Sequence, residues 1–284
     1  HMHRDAVLVF KGTLKARGSL ENPIVIQGDR LEYLYRDVPG QWGLIYFWPG
    51  ARENELEYVN IMNGTIGLMA DTVVTPGTPN ITLSNCRIEN MSSVGILGQG
   101  TSIHASNTVI ASCGQLAILL NIGGSYEFYH CTVGNYWGSG YSNRTTPSLA
   151  MINWYEDIFG QVHVRPIQKA YFGNCIIYGD KEYEISLNEH EDSEIPYLFE
   201  HCLIKADPEE FDLKAIAQHP EYGRAIPSEQ DEAQIKRMPK HMAIYLVREN
   251  ESLERYILPV YGYGLWSTLY GFLALDKDLK TIKG

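Results

Sequence analysis

The stretch Ile81-Thr82-Leu83-Ser84-Asn85-Cys86-Arg87-Ile88 decides the fold, because its pattern returns along the chain. Leu83 and Ile88 are apolar positions five residues apart, and the small residue Cys86 stands two positions before Ile88. Apolar and polar residues alternate on both sides of Asn85, as they do in strands with one buried face. Asn favours tight corners, since it tolerates positive φ. The stretch therefore predicts two short strands joined at a corner.

Five further copies of this pattern form a repeat. The pairs equivalent to Cys86/Ile88 are Val59/Ile61, Thr108/Ile110, Cys131/Val133, Cys175/Ile177 and Cys202/Ile204. The positions equivalent to Leu83 are Leu56, Ala105, Phe128, Phe172 and Phe199. The second members of successive pairs lie 27, 22, 23, 44 and 27 residues apart. A period near 22 residues matches one turn of a three-sided β-solenoid. The repeat therefore predicts an all-β fold, a right-handed parallel β-helix over residues 5–207.

Stacked coils also explain the cysteines, since four of the six copies carry Cys in the same slot. Inward side chains of successive coils lie about 4.8 Å apart, so each slot becomes a column of similar side chains. Small, apolar Cys suits such a column, whereas its spacing does not match a zinc site. We expect buried, unpaired, inward-pointing thiols at Cys86, Cys131, Cys175 and Cys202. The alternative is a redox or metal-ligating role.

Composition narrows the classes of partner. A formal net charge of -11 argues against nucleic acid, because phosphates must be neutralised by clustered Lys and Arg. The sequence contains no run of 18 apolar residues, so no transmembrane segment is predicted. The content of 26 Gly, 19 Tyr and 5 Trp favours turns and strands over helices.

Four short stretches resemble a family of bacterial secreted or lipid-anchored β-helix repeat proteins that is common in gut Bacteroidetes. They are Gly-Thr-Leu-Lys-Ala (12–16), Asn-Pro-Ile-Val-Ile (22–26), Pro-Gly-Gln-Trp-Gly (39–43) and Asn-Gly-Thr-Ile-Gly (63–67). The resemblance implies a pectin lyase-like fold and an extracytoplasmic location, in the periplasm or at the cell surface, with a lipid anchor as one alternative. It implies no particular activity, since this architecture hosts lyases, hydrolases and adhesins.

The interval of 44 residues between Val133 and Ile177 is twice the period and contains no second Cys/Ile pair. It therefore predicts one coil with long insertions, and insertions into repeats collect on the binding face. Aromatic rings beside hydrogen-bonding groups are what a sugar-binding groove needs. The predicted substrate-binding residues are Trp137, Tyr141, Trp154, Tyr155 and Asp157, and we expect the four aromatic side chains to form an exposed surface. The alternative is a lateral loop that packs its aromatic residues against the solenoid.

No catalytic residue and no metal site is predicted. Glycoside hydrolysis needs two carboxylates about 5 to 9 Å apart across the substrate, and Glu156 and Asp157 are sequence neighbours. No acidic column recurs at the coil period, as a calcium-dependent lyase would need. The predicted function is therefore a non-catalytic extracytoplasmic module that binds a glycan or a surface partner. The alternative is a polysaccharide lyase or a glycoside hydrolase on the same solenoid.

The coil pattern is absent from about Phe211 onwards, and a small α+β segment is predicted over residues 211–284. Its elements are a short helix at 211–217, strands at 243–247 and 255–260 joined by a hairpin around 249–251, and a further strand at 268–275. The expected origin of the chain is a fusion, with the join near residues 207–212.

The string Tyr-Ile-Leu-Pro-Val-Tyr-Gly-Tyr-Gly-Leu-Trp-Ser-Thr-Leu-Tyr-Gly-Phe-Leu-Ala-Leu (256–275) closely resembles the C subunit of the bacterial sodium-translocating NADH:quinone reductase. In that family an extracytoplasmic domain carries FMN on a threonine through a phosphoester bond. The attachment motif, Ser-Gly-Ala-Thr, does not occur before Gly284, so no covalent flavin is expected. No tightly bound free FMN is expected either, and Gly264, Leu265 and Trp266 are interpreted as a hairpin turn with a core tryptophan. The alternative is a residual FMN contact at these three residues. A respiratory flavoprotein subunit is a further functional alternative, for the tail alone.

Overall fold

The chain forms two compact units, His1–Ala206 and Asp207–Gly284. The computed structural model describes residues 1–71, 78–138 and 144–205 of the first unit. In the second unit it describes residues 217–218, 220, 223–229, 231, 235–239, 242, 244–249, 252–263 and 268–282. The first unit is a solenoid of parallel strands, and the second contains antiparallel strands.

Over its described residues the first unit winds seven times, and each coil contributes one strand to each of three sheets; the sixth coil also contains a separate two-stranded hairpin. The first four coils contain β1 (Val7–Phe10), β2 (Lys15–Arg17), β3 (Ile24–Ile26); β4 (Leu44–Phe47), β5 (Asn54–Glu57), β6 (Val59–Met62); β7 (Ile66–Ala70), β8 (Ile81–Ser84), β9 (Arg87–Glu89); and β10 (Val94–Gln99), β11 (Ser102–Ser106), β12 (Val109–Ala111). A 3-10 helix, Tyr33–Tyr35, lies between β3 and β4.

The remaining coils contain β13 (Ile118–Asn121), β14 (Gly124–Tyr129), β15 (Thr132–Asn135); β16 (Leu149–Ile152), β17 (Trp154–Glu156), β18 (Val162–Val164), β19 (Ile167–Gly173), β20 (Ile176–Gly179); and β21 (Ile185–Asn188), β22 (Tyr197–Glu200), β23 (Leu203–Ile204). Sheet 1 has the order β1-β4-β7-β10-β13-β16-β21, sheet 2 the order β2-β5-β8-β11-β14-β19-β22, and sheet 3 the order β3-β6-β9-β12-β15-β20-β23. The unit is a three-sided parallel β-helix, as the repeat predicts.

The register of the sheets confirms both predicted columns. In sheet 3 the direct neighbours are Ile61, Ile88, Ile110, Val133, Ile177 and Ile204. In sheet 2 they are Leu56, Leu83, Ala105, Phe128, Phe172 and Phe199. The rings of Phe128 and Phe172 stack with centroids 5.0 Å apart, and so do those of Phe172 and Phe199. Coil stacking thus places similar apolar side chains in register through one core.

A single left-handed residue makes the corner between sheets 2 and 3. It is Tyr58, Asn85, Asn107, His130, Asn174 or His201, with φ between 48° and 55°. The residue after it occupies the slot of the cysteine column. Thr108 and Cys131 in this slot each donate to the carbonyl two residues earlier, at 3.0 and 3.3 Å. The slot therefore holds a small or β-branched side chain, and valine (Val59) fills it without donating a hydrogen bond.

All five cysteines are free thiols. Cys86, Cys131 and Cys175 are buried, as the column predicts, and burial raises the pKa of Cys86. The predicted burial of Cys202 is only partly met, because this residue is half-buried. It lies in the seventh coil, which has a paired coil on one side only within the described residues.

The sixth coil carries both insertions, and Val133 pairs directly with Ile177, so the prediction of one long coil is confirmed. Residues 136–148 connect sheet 3 to sheet 1, before β16. Residues 153–166 connect sheet 1 to sheet 2 and form the antiparallel hairpin of β17 and β18. The two insertions therefore leave the solenoid at opposite ends of β16.

Buried Arg144 fixes the first insertion. Its guanidinium donates to both carboxylate oxygens of Glu184, at 2.7 and 2.8 Å, and the side chains of both residues are 0% exposed. It also pairs with Asp180 and donates to the carbonyls of Asn135 and Thr146. A buried charge persists only with such compensation, so this arginine has a structural role.

The second unit contains two antiparallel sheets in its described part. β24 (Gly223–Ala225) pairs with β25 (Arg237–Pro239), and β26 (Tyr245–Glu249), β27 (Ser252–Tyr263) and β28 (Thr268–Asp276) form a three-stranded sheet. The three predicted strands of the tail are confirmed, whereas β24 and β25 were not predicted. The predicted helix at 211–217 lies outside the described residues apart from Ala217. None of the helices in the described part of the chain is long and apolar enough to cross a membrane.

Candidate functional site

The structure separates the residues predicted to bind a substrate. Trp137 is only 7% exposed, and a Cβ added at Gly114 would lie 3.2 Å from its ring. The predicted exposure of Trp137 is therefore wrong, because its ring packs beside Gly114 in the neighbouring coil. Tyr141 lies outside the described residues. The other three, Trp154, Tyr155 and Asp157, lie in the hairpin at the opposite end of β16.

The polar groups of the hairpin mainly hold the hairpin itself. Asp157 Oδ1 accepts the backbone N–H groups of Phe159 and Gln161 at 2.9 and 3.0 Å. Asp157 Oδ2 lies 2.8 Å from His163 Nε2, and this hydrogen bond lowers the pKa of Asp157. Tyr155 stacks on the His163 ring with centroids 5.0 Å apart. Both carboxylate oxygens of Asp157 are thus already engaged.

Trp154 contacts two residues of the seventh coil. Its indole N–H donates to Asn188 Oδ1 at 3.0 Å, and its ring meets His190 edge-on at 6.4 Å. The side chain is half-buried. Ligand binding by the hairpin stays a prediction. The hairpin also carries two strongly exposed apolar side chains, Ile158 and Phe159.

A cluster that the sequence patterns did not predict lies on the outer face of sheet 2. Alternation along β14 and β19 sends Phe128 and Phe172 inward and their neighbours outward. The parallel register then places His104 beside Glu127, and Glu127 beside Tyr171. We call the outward residues His104, Glu127, Tyr129, Lys169, Tyr171 and Glu200 the tyrosine platform.

The platform contains three adjacent rings. Tyr129 and Tyr171 have centroids 5.0 Å apart at an interplanar angle of 40°, and Tyr129 lies 5.2 Å from His104. A Cβ added at Gly173 would come within 2.7 Å of the Tyr171 hydroxyl and 2.8 Å of its Cε1 atom. Gly173 therefore leaves the space that Tyr171 needs to lie across its own strand. Both tyrosines are half-buried, so part of each ring faces solvent.

The edges of these rings end in hydrogen bonds to carboxylates. Tyr129 and Lys169 each donate to one oxygen of Glu127 at 2.8 Å, and Tyr171 donates to Glu200 at 2.6 Å. The Lys169 ammonium also lies 5.6 Å from the centroid of Tyr171, within cation–π distance. The platform thus combines aromatic faces with fixed donors and acceptors.

Glu127, Tyr129 and Tyr171 each keep one protonation state near neutral pH. Burial raises the pKa of Glu127, but the hydrogen bonds from Lys169 and Tyr129 lower it by more. The pKa of Glu127 therefore lies below its ordinary value. Burial and the bond to Glu127 raise the pKa of Tyr129 to about 12. The bond to Glu200, together with burial, raises the pKa of Tyr171 to about 12. Glu127 is therefore ionised and both phenols keep their protons.

The alignment of the repeat predicts which residues of sheet 2 point outward and so could have indicated this platform. Once Leu83, Ala105, Phe128 and Phe172 are inward, the residues on either side of each must point outward. These are Thr82 and Ser84, His104 and Ser106, Glu127 and Tyr129, and Tyr171 and Gly173. Outward aromatic side chains on sheet 2 therefore lie in the fourth to sixth coils, whereas its first two coils carry the charged residues Lys15, Arg17, Glu55 and Glu57.

The described residues were also compared with the predictions about metal and flavin sites. Within the described ranges, no group of three or more His, Cys, Asp or Glu side chains is arranged to hold a metal ion. Gly264, Leu265 and Trp266 lie outside those ranges, so both the expected absence of flavin and the alternative of a residual contact there stay untested predictions.

Comparison with known proteins gives similarity for part of the chain. No family model matches it. The C subunit of the Na⁺-translocating NADH-quinone reductase of Pseudomonas aeruginosa is 49% identical over 78 residues, which is 28% of this chain and 30% of that protein. The equivalent protein of Haemophilus ducreyi is 42% identical over 79 residues, and that of Yersinia pestis 40% over 82 residues, each covering 28% of this chain and 31% of the relative.

The chain thus spans about a third of the length of these curated relatives. This similarity belongs to the C-terminal segment of the chain. It agrees with the resemblance of residues 256–275 to the same reductase subunit. The chain therefore consists of a parallel β-helix followed by a segment similar to part of the C subunit of the Na⁺-translocating NADH-quinone reductases.

Proposed function

We propose that the solenoid is a non-catalytic module that binds a glycan on the tyrosine platform. The observation that carries this proposal is the pair of half-buried tyrosine rings 5.0 Å apart, whose hydroxyls are fixed on carboxylates. A pyranose ring has apolar C–H faces and a rim of hydroxyl groups. It therefore matches a surface of aromatic faces with donors and acceptors at their edges. His104 and Lys169 extend that polar rim.

Binding is favoured over catalysis by the protonation states. A general acid or base works best with a pKa near the operating pH. The pKa of Glu127 is lowered, and those of Tyr129 and Tyr171 are raised to about 12, so all three move away from neutrality. A polysaccharide lyase or glycoside hydrolase is the alternative, and release of shortened products from a bound polysaccharide would favour it.

The proposal extends to location and to the tail. A module for extended glycans acts outside the cytoplasm, where such polymers are found. The tail then has a structural role and holds no flavin, although it is similar to part of a reductase protein. The absorbance spectrum of the purified protein tests this, since we expect no flavin bands. Bands that persist through denaturation and gel filtration would favour the flavoprotein alternative instead.

A glycan array that carries acidic and neutral polysaccharides tests the platform. We expect the wild-type protein to bind at least one polysaccharide and Tyr171→Ala to lose it, with a nearly unchanged melting temperature. Tyr178→Ala is the matched control, because Tyr178 also lies outward in the sixth coil, 5.2 Å from a lysine ammonium, but on sheet 3. An array with no bound glycan, or equal binding by Tyr171→Ala, would contradict the proposal.

A further inference from the structure

A second aromatic cluster lies in the first three coils, at the corner between sheets 1 and 2. Trp48 directly follows β4 and is 43% exposed. The Lys11 ammonium lies 4.9 Å from its ring centroid, and the Tyr46 ring lies 5.4 Å away at an interplanar angle of 58°. Tyr46 donates to Asp71 Oδ2 at 3.3 Å. We call Lys11, Tyr46, Trp48 and Asp71 the tryptophan cluster.

The tryptophan cluster has the chemistry of the tyrosine platform. Each contains a partly exposed ring with a lysine ammonium over its face, Lys11 on Trp48 and Lys169 on Tyr171. Each also contains a tyrosine hydroxyl that donates to a carboxylate. Burial and the charge of Asp71 raise the pKa of Tyr46, so this hydroxyl keeps its proton as those of the platform do.

The described strands of sheet 2 between the two clusters carry polar outward side chains. Trp48 belongs to the second coil, and Tyr129 and Tyr171 belong to the fifth and sixth. At a strand spacing of about 4.8 Å they are separated by roughly 14 to 19 Å along the solenoid axis. The outward positions of sheet 2 in the intervening third and fourth coils include Thr82, Ser84 and Ser106. Small hydroxyl side chains leave room for a polymer and can hydrogen-bond its hydroxyl groups.

We propose that the tryptophan cluster is a second sugar-binding subsite and that one linear polysaccharide occupies it together with the tyrosine platform. The inference rests on the proposed function of the platform. When one chain fills both subsites, the second contact becomes intramolecular, and affinity rises without any new type of contact. Binding strength therefore depends on the length of the oligosaccharide.

Titration calorimetry with two homologous series, neutral xylo-oligosaccharides and acidic oligogalacturonates, tests this dependence. For the series that binds, we expect the octasaccharide to bind the wild-type protein on the order of a hundredfold more tightly than the trisaccharide. Trp48→Ala should abolish this gain and leave trisaccharide binding at the platform. Tyr33→Ala is the control, because Tyr33 is 85% exposed but lies in the connection between β3 and β4.

Each outcome bears on a different part of the inference. Equal affinities for trisaccharide and octasaccharide, or a length dependence that Trp48→Ala retains, would overturn the second subsite and leave the platform in place. No binding of either series, together with a blank glycan array, would overturn the platform as well. Melting temperatures confirm that each variant is folded. If Trp48→Ala does not fold, octasaccharide should perturb the tryptophan fluorescence of the wild type and not of Trp48→Phe, and equal perturbation would overturn the inference.

Discussion

The two faces of sheet 2 carry aromatic ladders with the same spacing in opposite surroundings. On the inner face Phe128 and Phe172 are fully buried and nearly parallel, with centroids 5.0 Å apart and an angle of 4°. On the outer face Tyr129 and Tyr171 are also 5.0 Å apart, but tilted by 40° and half-buried. Coil stacking sets the separation in both ladders. Strand alternation thus gives adjacent residues separate tasks, core stability inside and an accessible aromatic surface outside.

Truncation of the inner ladder should have the largest effect on stability. Phe172→Ala removes a ring stacked on two others, and we expect it to lower the free energy of unfolding by about 3–5 kcal/mol. Tyr171→Ala should lower it by less than about 1 kcal/mol, because its side chain is on the surface. Urea denaturation measures both values. Equal losses would show that the outer ladder belongs to the core.

A buried ion pair elsewhere in the sixth and seventh coils and the exposed ion pair on the outer face of sheet 2 should differ in the same direction as the two ladders. Arg144→Ala leaves Glu184 buried without its partner, and we expect a loss of about 3 kcal/mol. Lys169→Ala breaks a partly exposed pair with Glu127, where we expect at most about 1 kcal/mol. Denaturation at low and high salt checks the assignment, since only the exposed pair is screened strongly. A larger loss for Lys169→Ala would reverse the comparison.

Acid should weaken the buried network. Burial raises the pKa of Glu184, but hydrogen bonds from Arg144, Ser148 and the Lys181 N–H lower it further, so its folded-state pKa lies below the ordinary 4.5. A depressed folded-state pKa stabilises the fold above the unfolded-state pKa, and this contribution is lost as pH falls below about 4.5 through the folded value. Glu184→Gln should therefore show a shallower decline of melting temperature with acid. An identical slope would exclude this carboxylate as the cause.

The left-handed corners should show a smaller and specific effect. Asn174 has a φ of 54°, and a β-branched residue there is strained, so Asn174→Val should lose about 1–2 kcal/mol. Asn174→Gly should be nearly neutral, because glycine adopts this conformation freely. Thermal unfolding of the pair separates backbone strain from loss of the Asn side chain. Similar losses in both variants would assign the effect to the side chain.

Gly173→Ala should have the smallest effect on stability and still weaken glycan binding. The added Cβ would collide with the Tyr171 ring, which can swing away into solvent. We expect a change of less than about 1 kcal/mol in unfolding and a several-fold loss of affinity. Calorimetry with the polysaccharide identified on the array measures the second value. Unaltered affinity would show that the position of the Tyr171 ring does not matter for binding.

The inner face could be predicted from sequence because burial restricts its residue types. Phe, Ile and Cys recur in their columns, so the period was visible without any structure. The outer residues His104, Glu127 and Tyr171 share no type, and only the register shows that they are neighbours. Trp137 was predicted to be exposed because the direction in which an insertion folds is not encoded in its composition. Its position beside Gly114 depends on how the corners of two successive coils stack.

The sixth coil also shows how this architecture can change over evolutionary time. It is about twice as long as the coil before it, yet its strands pair with both neighbouring coils, with one register irregularity beside Gly124. The extra residues lie in the connections between the strands of the three sheets, where added length costs mainly loop-closure entropy. The tip of the hairpin, with Ile158 and Phe159 93% and 87% exposed, bears little of the packing. A foreign peptide inserted at this tip would therefore be displayed on the surface and would leave the packing of the β-helix unchanged.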